Sequence, residues 1–441
     1  RAVGCASGTD TDPEAVALCR AELAALAGAA PEGEALAARV RVADALVAPP
    51  PTRPHDLVVG NPPFLSQLAA ATARTRTDAE RLRDRFGAVG AYTDPAGLFL
   101  LAGLDAVRAD GGVVCLIQPL SLLSARDARG VRAAIGERAA VAGLWVADET
   151  VFDAAVEVCA PILVRGGAAP TTRLWRGRAV TAAGEAEAPA TGDATWSGLL
   201  AAAQGVPRPD LEVDGVLGDV ATATADFRDQ YYGLVGHVVD AADGGADLPP
   251  LVTAGLIDPA HLRWGEAPAR FAKASYRHPR VRVAALDPPG RRWAAARLVP
   301  KVLVATQTRV LEAVVDVEGR WLPSVPVLTV QAAPEDLWRV AALVSAPPVV
   351  ALAARRHLGG ARHGRALKLS AAELLALPRP RHRAAWDVGA AAFGAASGAA
   401  DPEDRRGHLE RAAAAMLDAF GCGGDDALLA WWRDRLPPTH R

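Results

Sequence analysis

The chain has 441 residues, which at about 150 residues per domain corresponds to two or three domains. Its 48 Lys and Arg stand against 50 Asp and Glu, a net charge of −2, so a uniformly basic nucleic-acid coat is excluded and any basic surface is local. Hydrophobic residues at 51% and charged residues at 22% exclude wholesale disorder, and five Cys without paired spacing support neither a disulfide framework nor a metal site. No run of 18 apolar residues and no signal peptide occur, and the expected compartment is a reducing cytoplasm. The chain opens on Arg1 without a Met, as though it started inside a domain.

Residues 1–168 alternate between the two periodicities. Residues 6–12 form a short strand tipped by acids, Pro13 stands at a helix start, and 14–28 have helical spacing closed by Gly28. A strand follows over 38–46. A buried strand over 55–60 then runs into the rigid turn Asn61-Pro62-Pro63-Phe64. Residues 94–112 form a helix closed by glycines, 113–123 a strand and loop, 128–138 a helix, 141–152 a strand and 159–167 a last strand. This alternation implies an α/β domain with a parallel-dominated, doubly wound sheet.

Residues 169–205 are rich in Ala, Gly, Thr and Pro and read as a linker or the edge of the next domain. From 206 to 385, short apolar runs broken by Pro, Gly and Asp imply an α+β domain. Residues 386–441 imply a small helical tail.

Asn61-Pro62-Pro63-Phe64 is the most informative stretch. It follows an apolar strand, where the carboxyl end of a strand meets a ligand crevice in open α/β sheets. Two prolines fix φ and remove backbone donors, stiffening the turn. The Asn61 side-chain oxygen and the Pro62 carbonyl can accept hydrogen bonds from one exocyclic amino group, and Phe64 offers a stacking face to a planar substrate. In isolation the same four residues also suit a surface turn with a buried Phe.

The turn resembles the (D/N/S)PP(Y/F/W) signature of amino-group methyltransferases that use S-adenosyl-L-methionine. The resemblance implies a Rossmann-like class I methyltransferase sheet. It extends to residues 8–23, where Asp10 takes the position that grips the ribose hydroxyls and Thr11 flanks the adenine. Asp10 is also open to a helix-capping role, which Asp12 before Pro13 suits better. In residues 42–46, Asp44 takes the position that accepts from the adenine N6, with Ala45 beside it. Asp94 and Pro95 fall where the family lines the cofactor pocket, and Asn61 is shared between cofactor and substrate. Residues 149–164 resemble the family's final hairpin, in which Phe152 would pack on the extruded base; simple core packing suits Phe152 equally. One departure stands out: the glycine-rich loop that wraps the methionine end does not precede Asp10. Gly4 and Gly8 imitate it superficially, but taking them as that loop leaves no acid-tipped strand for the ribose. The family's amino-terminal strand and loop are therefore expected to lie outside this chain.

The second half resembles the target-recognition region of the DNA-modifying members. Residues 300–330 give a strand opening Pro300-Lys301 and a strand ending Asp316-x-x-Gly319. Residues 337–360 give a helix ending Ser345-x-Pro347, and Leu377-Pro378 closes the pattern. Charge points the same way independently. Between 263 and 309, eleven basic residues face only Glu266 and Asp287, with Trp264, Phe271, Tyr276 and Trp293 interleaved. Such a stripe fits phosphate contacts, with Arg277, Arg280, Arg282, Arg291, Arg292, Lys301 and Arg309 as the DNA-binding candidates. A solvated face would look alike. Residues 226–234, a polar-aromatic cluster, fit a domain junction, a DNA contact or a packed turn equally.

The resemblance implies a methyltransferase acting on the N6 amino group of a flipped adenine in double-stranded DNA, within restriction-modification or phage defence, with a restriction or defence protein as a possible partner. The alternatives are an RNA or protein-amide methyltransferase and an inert DNA-specificity module.

Overall fold

The structure is a computed structural model that describes residues 5–28, 34–64, 76–87, 93–149, 151–152, 156–192, 195–226, 228–240, 247–359 and 366–438. Two compact units divide the chain, Arg1–Leu199 and Leu200–Arg441, and the division falls inside a short helix.

The first unit starts with strand β1 (Gly8–Asp10). Helix α1 (Pro13–Ala27) follows at once, because the Asp12 carboxylate accepts from the Glu14 N–H and Pro13 fits the first turn. Gly28, with φ of 64°, closes the helix. Helix α2 (Glu34–Arg39) leads into β2 (Val40–Val42), which pairs parallel with β1 in the register Gly8↔Val40 and Asp10↔Val42. Val16, Ala24, Leu36 and Val40 form the small core beneath this pair.

The main sheet is built from β3 (Leu57–Gly60), β4 (Val113–Leu116), β5 (Gln118–Pro119), β6 (Ala139–Val146), β7 (Val158–Arg165), β8 (Thr171–Arg176) and β9 (Thr181–Glu187). Helices α3 (Arg76–Phe86), α4 (Pro95–Ala106) and α5 (Arg129–Gly136) accompany it. Its order is β3-β4-β7-β6-β8-β9, with β5 also on β7. The sheet is mixed rather than parallel-dominated: β3–β4 and β6–β8 are parallel, whereas β7 runs antiparallel to both β4 and β6. The 147–157 connection is too short for a crossover helix, so β6 returns as a hairpin. Apolar α4 buries Leu98, Leu100, Leu101 and Leu104. Gly103 permits its close approach to the sheet, since a Cβ there would lie 2.9 Å from a Val114 methyl.

Residues 171–187, expected within a linker, are the β8–β9 hairpin on the sheet edge. Helix α3 is not marked by the sequence pattern. At the opposite edge β3 pairs only with β4 among the described residues, and its Leu57 and Val59 are exposed.

Helix α6 (Ser197–Ala203) spans the division between the units. The second unit then runs through β10 (Val213–Val216), β11 (Ala221–Ala225), α7 (Arg228–Leu234), β12 (Val238–Asp240), β13 (Leu251–Val252), β14 (Ile257–Asp258) and β15 (His261–Leu262). Next come the hairpin β16 (Ala269–Phe271) and β17 (Ala274–Tyr276), then β18 (Pro279–Val281) and α8 (Pro288–Arg297). Strands β19 (Lys301–Ala305), β20 (Glu312–Asp316), β21 (Leu322–Pro323) and β22 (Leu328–Ala332) follow. An antiparallel sheet of order β11-β22-β19-β20 forms the centre, and β19 and β20 are buried at every position. Helices α9 (Leu337–Ser345), α10 (Pro347–His357) and α11 (Ala371–Leu375) and strand β23 (Pro378–Pro380) complete the α+β part. The carboxyl-terminal residues form α12 (Arg383–Gly398), α13 (Pro402–Ala419) and α14 (Asp426–Arg433). They are part of this unit's core: Phe393, Met416, Phe420 and Trp432 are buried, and the Trp432 indole N–H donates to the Ser345 carbonyl at 3.0 Å. No single helix among the described residues is long and apolar enough to cross a membrane.

Candidate functional site

Asp10 and Asp44 come together at the carboxyl ends of paired parallel strands. The Ala43 N–H extends the ladder to the Asp10 carbonyl at 2.9 Å, which sets Asp44 one residue beyond. Each acid is exposed and uses one oxygen locally, Asp10 accepting from the Asp12 N–H at 2.9 Å and Asp44 from the Leu46 N–H at 2.8 Å. Their other oxygens have no partner among the described residues. Asp12, not Asp10, caps α1. Thr11 is exposed in the turn between them, and Ala45 is half-buried.

Asn61 stands directly after β3. The Ile117 N–H donates to the Gly60 carbonyl at 3.0 Å, so the turn leaves the sheet beside the end of β4. Pro62 is buried, Asn61 and Pro63 are exposed, and Phe64 is half-buried. The buried proline anchors the turn while Asn61 faces out. Asp94 caps α4, accepting from the Ala96 N–H at 3.0 Å, so one of its oxygens holds the helix start. Phe152 is half-buried on the β6–β7 connection. Gly4 lies outside the described residues.

Three residues that sequence reasoning passed over shape this end of the sheet. Gln118 is fully buried beside the exit of β4, and its side-chain oxygen has no partner among the described residues. Arg85 on α3 donates to the carbonyls of Ala45, Leu46 and Ala48 at 3.1, 2.6 and 2.8 Å, fixing the segment that carries Asp44; it also pairs with Asp105 of α4 at 3.7 Å. Arg132 is buried and holds the Leu122 and Ala125 carbonyls at 2.7 and 3.1 Å, shaping the loop after β5. Burial and nearby Arg129 pull its pKa down to about 10, which leaves it charged at neutral pH. The partners of all three are distant in sequence or unspecific backbone carbonyls, so local pattern carries no signal for them.

In the second unit the basic stripe separates into two kinds of residue. Arg263 pairs with Asp258 at 3.0 Å, and Arg297 pairs with Asp226 at 2.7 Å. Lys301 is fully buried against Asp316 and is withdrawn from the DNA-binding set; desolvation there is tolerable only because the ammonium is paired. Burial pulls its pKa down, against the pull of Asp316. Arg280 is half-buried, donates to the Leu248 carbonyl and lies over the Trp264 ring at 4.8 Å. Arg309 is exposed and donates to the Asp434 carbonyl at 3.0 Å. Arg270, Lys273, Arg277, Arg282, Arg291 and Arg292 are exposed. The 226–234 cluster is a packed anchor: Asp226 holds Arg297, and the Tyr231 hydroxyl accepts from the Ala272 N–H at 3.0 Å. Tyr232 is exposed, and Phe227 lies outside the described residues.

Two acids with open oxygens at adjoining strand ends suit the hydroxyls and exocyclic amine of a nucleoside, so the residues present fit the adenosine end of S-adenosyl-L-methionine. Among the described residues no glycine-rich turn stands beside these acids for the methionine end.

The sequence matches no protein-family model and no curated protein. Solved structures align with it to different extents. The Type IIL restriction-modification enzyme MmeI, solved in complex with DNA, aligns over 86% of this chain and 56% of its own, with TM-score 0.54 and 10% identity. The type IIG restriction endonuclease BpuSI aligns over 91% of this chain and 56% of its own, with TM-score 0.35 and 12% identity. A type I restriction-modification methyltransferase subunit from Streptococcus thermophilus aligns over 46% of this chain and 43% of its own, with TM-score 0.32 and 20% identity. The chain thus spans little more than half the length of MmeI. What it shares with MmeI is the fold, a mixed α/β sheet followed by an α+β unit.

Proposed function

We propose that the protein is a restriction-modification DNA methyltransferase that modifies the N6 amino group of adenine with S-adenosyl-L-methionine. The observation that carries this reading is the Asn61-Pro62-Pro63-Phe64 turn, held by a buried Pro62 at the carboxyl end of β3, in the unit that also brings Asp10 and Asp44 together. The MmeI-like fold supports it.

Asp10 would accept the cofactor ribose hydroxyls and Asp44 its adenine amine. The bound cofactor supplies an electrophilic methyl group. The Asn61 side-chain oxygen and the Pro62 carbonyl would accept hydrogen bonds from the two N–H groups of the target amine, drawing its lone pair out of conjugation with the ring and aiming it. Phe64 would stack on the base once it leaves the duplex, and Phe152 would close on it; flipping costs a few kcal/mol. The exposed basic residues of the second unit would hold the phosphates. Catalysis on this reading is positioning and electrostatics.

The test is methyl transfer from isotopically labelled cofactor to duplex DNA, structured RNA and protein, followed by hydrolysis and separation of the products. Label in N6-methyladenine from DNA is the expected result. Label only in RNA or in protein amide would replace the reading.

A further inference from the structure

We propose that the β16–β17 hairpin enters the major groove of duplex DNA and reads base edges through Arg270 and Arg277. The proposal rests on the reading of the second unit as the DNA-binding half and names the element that would give it specificity.

The register pairs Ala269 with Tyr276, Arg270 with Ser275 and Phe271 with Ala274, which leaves Ala272 and Lys273 as a two-residue turn. Opposed residues share a face and neighbours alternate. Ala269 and Phe271 are buried and Tyr276 is half-buried; Phe271 and Tyr276 pack with the cluster that includes Leu234, Val238, Leu251 and Val281. The other face carries Arg270, Lys273, Ser275 and Arg277, all exposed. Three cations and a hydroxyl, with no acid from 269 to 277, make that face complementary to a polyanion.

The hairpin is also held in one shape. Ala272 and Lys273 both have positive φ, 48° and 68°, where hairpin turns ordinarily place Asn and Gly. Side chains rarely adopt this backbone, so the surroundings must impose it. Tyr231 does so: its hydroxyl accepts from the Ala272 N–H at 3.0 Å, and its ring lies 4.7 Å from that of Phe271. At the other end the Arg277 and His278 N–H groups donate to Asp240 at 2.6 and 3.1 Å. A sheet-stabilising role needs neither the strain nor an outer face on which every charge is positive. A two-stranded ribbon matches the width of the major groove, and Arg pairs in bidentate fashion with guanine O6 and N7. Lys273 at the tip matches a phosphate.

The experiment selects bound duplexes from a random-sequence DNA pool with the whole protein. It then repeats the selection with Arg270→Ala, Arg277→Ala and the double change Ala272→Asn/Lys273→Gly, which keeps a favourable turn. The parent should enrich a motif containing guanine. Each Arg variant should lose guanine preference at one position, by about 5- to 150-fold in relative affinity, and leave the other positions intact. The turn variant should weaken all sequences alike and lower the slope of log K against log salt by about one. Melting should be unchanged in the two Arg variants and no lower than the parent in the turn variant, whose residues suit the positive φ values. An enriched motif that survives both Arg variants, or that weakens uniformly with its preferences intact, would overturn base reading by the hairpin while leaving DNA binding in place. Failure of the parent to retain any duplex, or its preference for a structured RNA pool, would overturn both readings.

Discussion

Two hairpins of the second unit, about thirty residues apart in sequence, treat charge in opposite ways. On β16–β17 the charged side chains occupy the outward face, and a buried Phe271 anchors the other. On β19–β20 every position is buried, yet both ends of the ladder carry ionisable groups. There the chain uses two solutions. Lys301 stays with its cross-strand partner Asp316, whose oxygens also accept from the Arg320 and Trp321 N–H groups at 3.0 and 2.8 Å. Glu312 at the opposite end is kept protonated: burial, with Asp258 nearby and only partly offset by Arg263, raises its pKa to about 9. A charge on a two-faced strand is available to a partner. On a strand buried on both faces it must be paired or neutralised.

The contrast is sharpest where a partner is removed. Asp316→Ala strands a buried ammonium and should cost about 3–5 kcal/mol in denaturant unfolding. A loss below about 1 kcal/mol would mean that water reaches Lys301.

Glu312 gives the second test. Its folded pKa of about 9 lies above the ordinary 4.5, so the native state keeps a proton that the unfolded chain has released. Its contribution therefore falls as pH rises between those two values. Glu312→Gln should melt several degrees above the parent at pH 9, with the difference shrinking towards pH 5. Parallel melting curves across that range would place an ionised Glu312 in the core.

Arg85 tests an intermediate case, a half-buried guanidinium spent on backbone carbonyls. Arg85→Ala should cost about 1.5–3 kcal/mol, the range for charged hydrogen bonds, and speed amide exchange around residues 44–48. Unchanged exchange there would remove its part in holding Asp44. At the bottom of the scale, Arg292→Ala should change stability by no more than about 0.5 kcal/mol, as for an ordinary exposed residue, while weakening binding to all DNA sequences alike.

What the sequence reveals follows the same division. Helix starts are local chemistry, so Asp12-Pro13 and Asp94-Pro95 mark α1 and α4 directly. The apolar run before Asn61 likewise marks β3 and its exit. Helix α3 escapes because its exposed, strongly polar face leaves little apolar periodicity to detect. The β8–β9 hairpin is hidden by the Ala, Gly and Glu of β9, which carry weak strand preference; β9 is a strand through its pairing with β8, which is itself paired with β6. Lys301 and Arg297 look like any other cation in the 263–309 stripe. Their partners, Asp316 and Asp226, are set by pairing across strands and by tertiary packing, which a linear count of charge does not contain. The separation of the stripe into buried and outward residues is therefore a property of the fold.

The most direct test of the account concerns Asn61. Initial rates of methyl transfer to duplex DNA, measured beside equilibrium binding of S-adenosyl-L-methionine and of the same duplex, compare the parent protein with Asn61→Ala. Transfer should fall to background in the variant while duplex binding stays within about threefold and cofactor binding changes far less than the rate, because the side chain acts chiefly on the reacting amino group. Near-full transfer by Asn61→Ala would contradict the assignment of the turn as the catalytic centre.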